Sequence, residues 1–431
     1  MNRANYLEKL KNFNLIANLS KNLSFYLFYF FICCYTVSLF FSNYTISIST
    51  FGLLACYLFG RKADHHSESS FYKRVYQSII KDPVCIALMS FYLLVLLSGF
   101  WSDKLDYWFH HFRILAPIFV LALIFTAYQK VSYRAIHFVM LLLIASMMIQ
   151  LSIVLFNYFQ NFKEINHQIL LNKPIPTPFY HIKFSILLAS SIIILLYFIL
   201  YKKTIRWNDE VWIYWVLFVY FIIGIHILSV KTGLLGMYLG VFVMLCKFLI
   251  SRNKTKVIII LIPAMALMLG IMIYLIPSLN NKYFHLVWQL GEMSRGKYHW
   301  YSDVERLQSI QYGWEMIKES PILGSGIGDK DEVTKIIYLQ KINSAEYKSP
   351  HNQFIFIWAY CGFPAFISLL VIMYFTLMRK ARKQNILTYS LFSLNWFSLM
   401  VEHGLTSQLG VGIFMWYMML YWMMNSEGEN I

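Results

Sequence analysis

The side chains best able to do chemistry in this sequence are cations and histidines that recur at the edges of apolar runs. Arg306 stands in a polar stretch that ends in Ser349-Pro350-His351-Asn352. Lys231 lies in the short Ser229-Val230-Lys231-Thr232 connection, His181 with Lys183 opens one apolar run, and His110, His111 and Arg113 open another. Charge placed within or beside an apolar span is costly, so each such group invites a functional reading. Several fixed cations with few carboxylates suit an anionic substrate, phosphate above all. Arg306 and Lys231 could neutralise the charge that develops on a departing pyrophosphate. A histidine titrates near neutrality, so His351 could take the proton of an attacking hydroxyl. A lipid-linked pyrophosphate carrying a sugar fits this set best, its tail between helices and its glycan outside.

Each group also has a plainer reading. A histidine at a helix start can bond loop backbone, Arg306 can snorkel from an interfacial helix, and Lys231 can sit at the interface. His110 and His111 follow Trp108 and fit an aromatic belt. The glycines of Gly324-Ser325-Gly326-Ile327-Gly328 suit an anion nest or a turn after a helix equally well. Glu402 and His403, near the end of another apolar run, form a further pair. No Gly-rich phosphate loop, HExxH or Ser-His-Asp pattern is present.

The elements that must position these groups are membrane helices. A chain of 431 residues that is 58% hydrophobic and 13% charged, with repeated apolar runs near 20 residues, is an integral membrane protein. The runs predict an all-α polytopic fold of about twelve spans, starting near Ser24, Ile46, Pro83, Phe112, Ala135, Ile182, Val211, Gly233, Val257, Asn352, Ile386 and Leu409. Most of the 37 Lys and Arg fall in the N-terminal tail and in the loops after the even-numbered spans. Positive charge stays inside, so both termini are expected in the cytoplasm. The net charge of +16 then belongs to membrane anchoring, and nucleic acid is not an expected partner. The first apolar run shows no small-residue cleavage site and reads as a retained anchor.

Residues 1–431 read as one membrane domain, with the 277–351 segment as a long exported loop before the tenth span. Within that loop, Ser302-Asp303-Val304-Glu305 is a capping-box pattern, and Val304, Leu307, Ile310, Trp314 and Ile317 follow at helical spacing. A surface helix over about 303–319 is predicted, with Arg306 in its first turn. Alternate prolines from Lys173 to Pro178 keep a second exported segment extended. The six cysteines lie in or at the ends of spans, so neither a disulfide framework nor a zinc site is expected.

Arg306-Leu307, the run from Trp314 to Gly326, Ser349-Pro350-His351-Asn352-Gln353-Phe354 and Cys361-Gly362-Phe363 together resemble the O-antigen ligase family. That family includes O-antigen ligases, O-antigen polymerases and some protein O-oligosaccharyltransferases. The resemblance implies a periplasmic site in the bacterial inner membrane, no metal and no cofactor. It implies His351 as catalytic base and Arg306 on the pyrophosphate, with Lys231 where the family has a second Arg. Lysine keeps the charge there and loses the two-pronged fork. Arg113, Lys183, His181 and Asn352 complete the candidate substrate-binding set. The implied reaction moves a glycan from undecaprenyl pyrophosphate to an acceptor hydroxyl, with inversion. Lipid A-core is the expected acceptor; a second lipid-linked repeat unit, as in a polymerase, is the alternative. A transporter or flippase of lipid-linked glycan is the reading from another class, and it would place its charges near mid-membrane.

Overall fold

A computed structural model describes residues 23–62, 76–77, 79–127, 131–171, 173–204, 210–295, 302–378 and 385–425. Among them the secondary structure is entirely helical. Twelve apolar helices stand where the hydropathy places them. These are α1 (Leu23–Ser38), α2 (Asn43–Lys62), α3 (Pro83–Leu97), α4 (Leu105–Ala127), α5 (Tyr133–Gln160), α7 (His181–Tyr201), α8 (Glu210–Leu228), α9 (Lys231–Ser251), α10 (Ile258–Leu275), α14 (Gln353–Met378), α15 (Ile386–Val401) and α16 (Gln408–Asn425). Eight of the helices are long and apolar enough to cross a membrane. The basic N-terminal tail and the Arg379 to Lys383 cluster, on which the expected orientation leans, lie outside the described residues.

The shorter polar helices are α6 (Phe162–Leu170) and, between α10 and α14, α11 (Pro277–Ser294), α12 (Ser302–Glu319) and α13 (Lys330–Ile342). α12 is the helix predicted over 303–319, and α11 and α13 are additions to that reading. The capping-box side chains at Ser302 and Asp303 lie outside the described ones.

α7 is the centre of the bundle, buried almost continuously from Ile182 to Ile199. Against it lies α9, whose Gly233 and Gly240 face Ser185 and Ile193; an added Cβ would come within 2.3 Å of either side chain. Small residues allow this close approach of membrane helices. The pairing sets the first turn of α9, with Lys231, beside the first turn of α7, with His181. At the other extreme, α10 has no buried residue and presents apolar side chains all round, as a lipid-facing helix does.

Candidate functional site

Two devices join α12 to α14. Gly324 and Gly326 take positive φ values of +72° and +93°, which only glycine adopts without strain. The turn they form lies on a break in α14 at Gly362, itself at φ +83°. Ser325 N–H donates to Ala359 O at 3.0 Å, Gly326 N–H to Tyr360 O at 2.9 Å, and Phe363 N–H returns to Ile322 O at 3.0 Å. With Gly324 N–H bonded to Ser320 O and Gly328 N–H to Ser102 Oγ, these amides serve as a clamp and are not left to hold an anion. Asp329 extends the clamp by accepting the amides of Asp103 and Lys104 at 2.9 Å each.

The second device is Ser309, fully buried on α12. Its hydroxyl donates to Arg306 O at 2.7 Å and accepts from His351 N–H at 3.0 Å. One side chain thus spaces the backbones of the two residues of greatest chemical interest.

Where the helix ends meet, a cavity of about 370 Å³ opens. Lys231, Lys282, His285, Arg306, Lys348, His181 and His351 contribute to its wall, and among the described residues no carboxylate does. Four of the seven sequence candidates therefore converge: His351, Arg306, Lys231 and His181. The other three stand elsewhere. Asn352 is the N-cap of α14, its Oδ1 accepting from Phe354 N–H and Ile355 N–H at 2.9 and 3.1 Å while its amide donates to Met400 O at 2.8 Å. Lys183 hydrogen-bonds Ser407 behind the cavity. Arg113 is exposed on α4, its guanidinium 5.8 Å from the Phe109 ring centre. Lys282 and His285 on α11, and Lys348 in the loop before α14, were not among the sequence candidates; Lys348 is ion-paired with Glu305.

Glu402, where α15 ends, is only 7% exposed. Its Oε1 lies 3.2 Å from His351 Nδ1 and its Oε2 3.7 Å from the Arg306 guanidinium. Burial works to raise this carboxyl, but the hydrogen bond to His351 and the charges of His351, His403 and Arg306 outweigh it and hold the group below the usual carboxylate value. Burial pushes His403, 3.7 Å from the same carboxylate, down to about 4, so it stands neutral at neutral pH. The Asn352 bond to Met400 and a bond from Leu405 N–H to Gln353 Oε1 at 2.9 Å pin this segment to the start of α14. His351, Glu402 and His403 offer ligand atoms within 4.8 Å of one another, a spacing that can hold a metal ion. The Arg306 guanidinium already supplies positive charge to that carboxylate.

A bundle of membrane helices whose ends enclose a cationic, histidine-bearing cavity defines a polytopic membrane protein equipped to handle an anionic group at one face. Residues 217–370 are similar to a family described as O-antigen ligase, whose model they match. The match runs from within α8 to within α14 and includes Lys231, Lys282, Arg306 and His351; His181 and Glu402 fall outside it. No curated protein matches the chain.

Proposed function

We propose that this protein transfers a glycan from undecaprenyl pyrophosphate to an acceptor hydroxyl at the periplasmic face of the inner membrane, with lipid A-core as the acceptor. One observation carries the reading: a single cavity brings His351 together with Arg306, Lys231 and Lys282 and has, among the described residues, no carboxylate in its wall. Such a wall favours a diphosphate over a neutral or cationic ligand. His351 Nδ1 is turned to Glu402, which leaves Nε2 as the nitrogen for the cavity.

In the proposed step the acceptor O–H gives its proton to His351 Nε2 as its oxygen bonds to the anomeric carbon. The bond from that carbon to the pyrophosphate oxygen breaks, and its electron pair leaves on undecaprenyl pyrophosphate. Arg306, Lys231 and Lys282 stabilise the charge gathered there. Attack and departure on opposite faces of the sugar carbon invert its configuration. No residue needs to carry the glycan covalently.

The test is complementation of a deletion strain with wild type, His351→Ala or Arg306→Ala, with surface lipopolysaccharide and lipid-linked glycan resolved by length. Wild type should restore O-antigen on core, and both variants, present in the membrane at normal level, should leave bare core beside accumulated lipid-linked polymer. Core carrying a single repeat unit would instead assign polymerisation. Unchanged profiles in the deletion would refute glycan transfer to lipopolysaccharide.

A further inference from the structure

α12 turns its sides to two different hollows. Arg306 faces the cationic cavity and Ser309 faces His351. Glu305 and Gln308, three residues apart and so on one side of the helix, line a second, shallow cleft with Tyr338 of α13 and with Glu346, Tyr347 and Lys348 of the loop before α14. Lys348 stands in the wall of both hollows. We infer that this cleft is a glycan subsite, which holds an uncharged sugar unit of the donor or the acceptor chain a short way along from the carbon that reacts. The inference deepens the transferase reading and rests on it.

The lining chemistry selects a sugar. A carboxylate accepts hydroxyl protons at both oxygens, and an amide both donates and accepts, so Glu346 and Gln308 suit a ring whose edge carries hydroxyls. Tyrosine joins an apolar ring face, which suits the C–H face of a pyranose, to a polar tip. Tyr338 is only 3% exposed and is braced edge-on by Tyr312, ring centres 4.7 Å apart, so it forms the floor. Tyr347, 37% exposed, leaves its ring open to a ligand. Charge sets the cleft apart from its neighbour. The cavity wall carries cations and, among the described residues, no carboxylate, whereas the cleft has two carboxylates and one lysine, itself paired with Glu305. The cleft therefore disfavours phosphate and acidic sugars and favours an uncharged glycan. Its place fits as well: Glu305 adjoins Arg306, and Lys348 precedes His351 by three residues, a reach of at most about 11 Å of chain. The cleft encloses about 30 Å³, against roughly 300–1,000 Å³ for a site that engulfs its ligand, so it grips one sugar and adds modest affinity.

Kinetics with both substrates test this. Purified protein in lipid nanodiscs is assayed with undecaprenyl-pyrophosphate-linked glycan extracted from the deletion strain as donor and lipopolysaccharide core as acceptor. Binding of undecaprenyl pyrophosphate without glycan is measured in parallel. Tyr347→Ala should raise the KM of one glycan substrate about three- to tenfold, the scale of one lost ring contact, with kcat and bare undecaprenyl pyrophosphate affinity near wild type. A rise in donor KM alone places the donor's glycan in the cleft; a rise in acceptor KM alone places the core there. Gln308→Ala should act on the same substrate and serves alone if Tyr347→Ala does not fold, whereas Tyr347→Phe, which keeps the ring, should regain most of the affinity. Wild-type KM for both substrates in both Ala variants would overturn the inference. Lost affinity for bare undecaprenyl pyrophosphate would overturn it as well, since the loop would then act through Lys348 on the cavity. An active His351→Ala would sink the transferase reading itself. Free oligosaccharide released from the donor by mild acid tests the cleft separately: its saturation-transfer NMR signal should appear with wild type and vanish with Tyr347→Ala, and equal signals would overturn the subsite.

Discussion

Gly324→Ala separates a structural from an anion-binding role for the glycine turn. At φ +72° an alanine is strained by roughly 1–2 kcal/mol. Its Cβ would also stand 2.6 Å from Gly362 N and Tyr360 C and 2.8 Å from Cys361 N, all backbone atoms of α14 that cannot swing aside. Overpacking of that kind costs about 1–3 kcal/mol, so the substitution should destabilise the fold by about 2–5 kcal/mol in all. Much of the strain can be relieved only by lifting the turn from the α14 break, which moves Arg306 on α12 relative to His351. Thermal unfolding in nanodiscs, followed by tryptophan fluorescence, should therefore show a lower midpoint together with lost transfer. Gly270→Ala on α10 is the control, since nothing lies within 4 Å of its added methyl, and it should melt at or above the wild-type temperature. If Gly324→Ala melted like wild type and lost only undecaprenyl pyrophosphate affinity, the clamp reasoning would be wrong and the turn would be a phosphate nest.

Three further outcomes are expected. Lys231→Arg should keep most transfer and Lys231→Ala should raise donor KM about tenfold or more, as loss of one charge-assisted phosphate contact does; equal donor titrations for all three forms would remove Lys231 from the site. Ser309→Ala deletes two part-buried hydrogen bonds, should cost about 2 kcal/mol of stability and should lower kcat, read from melting and turnover together; an unchanged kcat would show that it does not space Arg306 and His351. His403, held at about 4 when folded against 6.5 for an ordinary imidazole, protonates in the unfolded chain first. The fold should therefore be fully stable above about pH 6.5 and lose on the order of 3 kcal/mol as pH falls toward 4. Glu402, also depressed, adds its own loss lower, as pH drops through its folded value. His403→Phe, which can keep the stacking on Phe356, should flatten the pH 6.5 to 4 part of the melting curve.

Hydropathy made the twelve apolar helices legible because most of the runs are near the length a bilayer needs, eight of the helices being long and apolar enough to cross one. The same logic reached His351, Arg306, Lys231 and His181, since a charge at the end of a span is conspicuous. It could not say which way such a group points. α7 is buried on nearly every side, so no polar face marks where His181 looks into the cavity and Lys183 looks away from it toward Ser407. Arg113 read as a cation at a helix start, yet α4 begins at Leu105, about two turns before it, and leaves its side chain exposed away from the cavity. Lys282 and His285 were hidden for the opposite reason: α11 is a polar helix in a polar stretch, where cations draw no notice until the fold turns one face inward. Glu402 and His403 were visible as a pair, but their nearness to His351 depends on the packing of α14 against α15, which no local pattern encodes.

The glycine turn and Ser309 bear on the proposed transfer for one physical reason. Displacement at a sugar carbon needs the base on one side and the leaving-group cations on the other, and a misplacement of about 1 Å can cost a hundredfold in rate. His351 begins a membrane helix, whereas Arg306 rides on a polar helix outside the twelve apolar ones that would otherwise be free to shift against the bundle. Ser309 fixes the spacing of Arg306 and His351, and the turn locked onto the Gly362 break fixes it at the far end of α12. Two attachments along one helix remove both sliding and tilting, which a single one would leave open. On this argument Gly324→Ala and Ser309→Ala should damage transfer through the same displacement of Arg306, so their combined effect on kcat should fall short of the product of the single effects. Full multiplicativity would mean that the two attachments act on separate parts of the site.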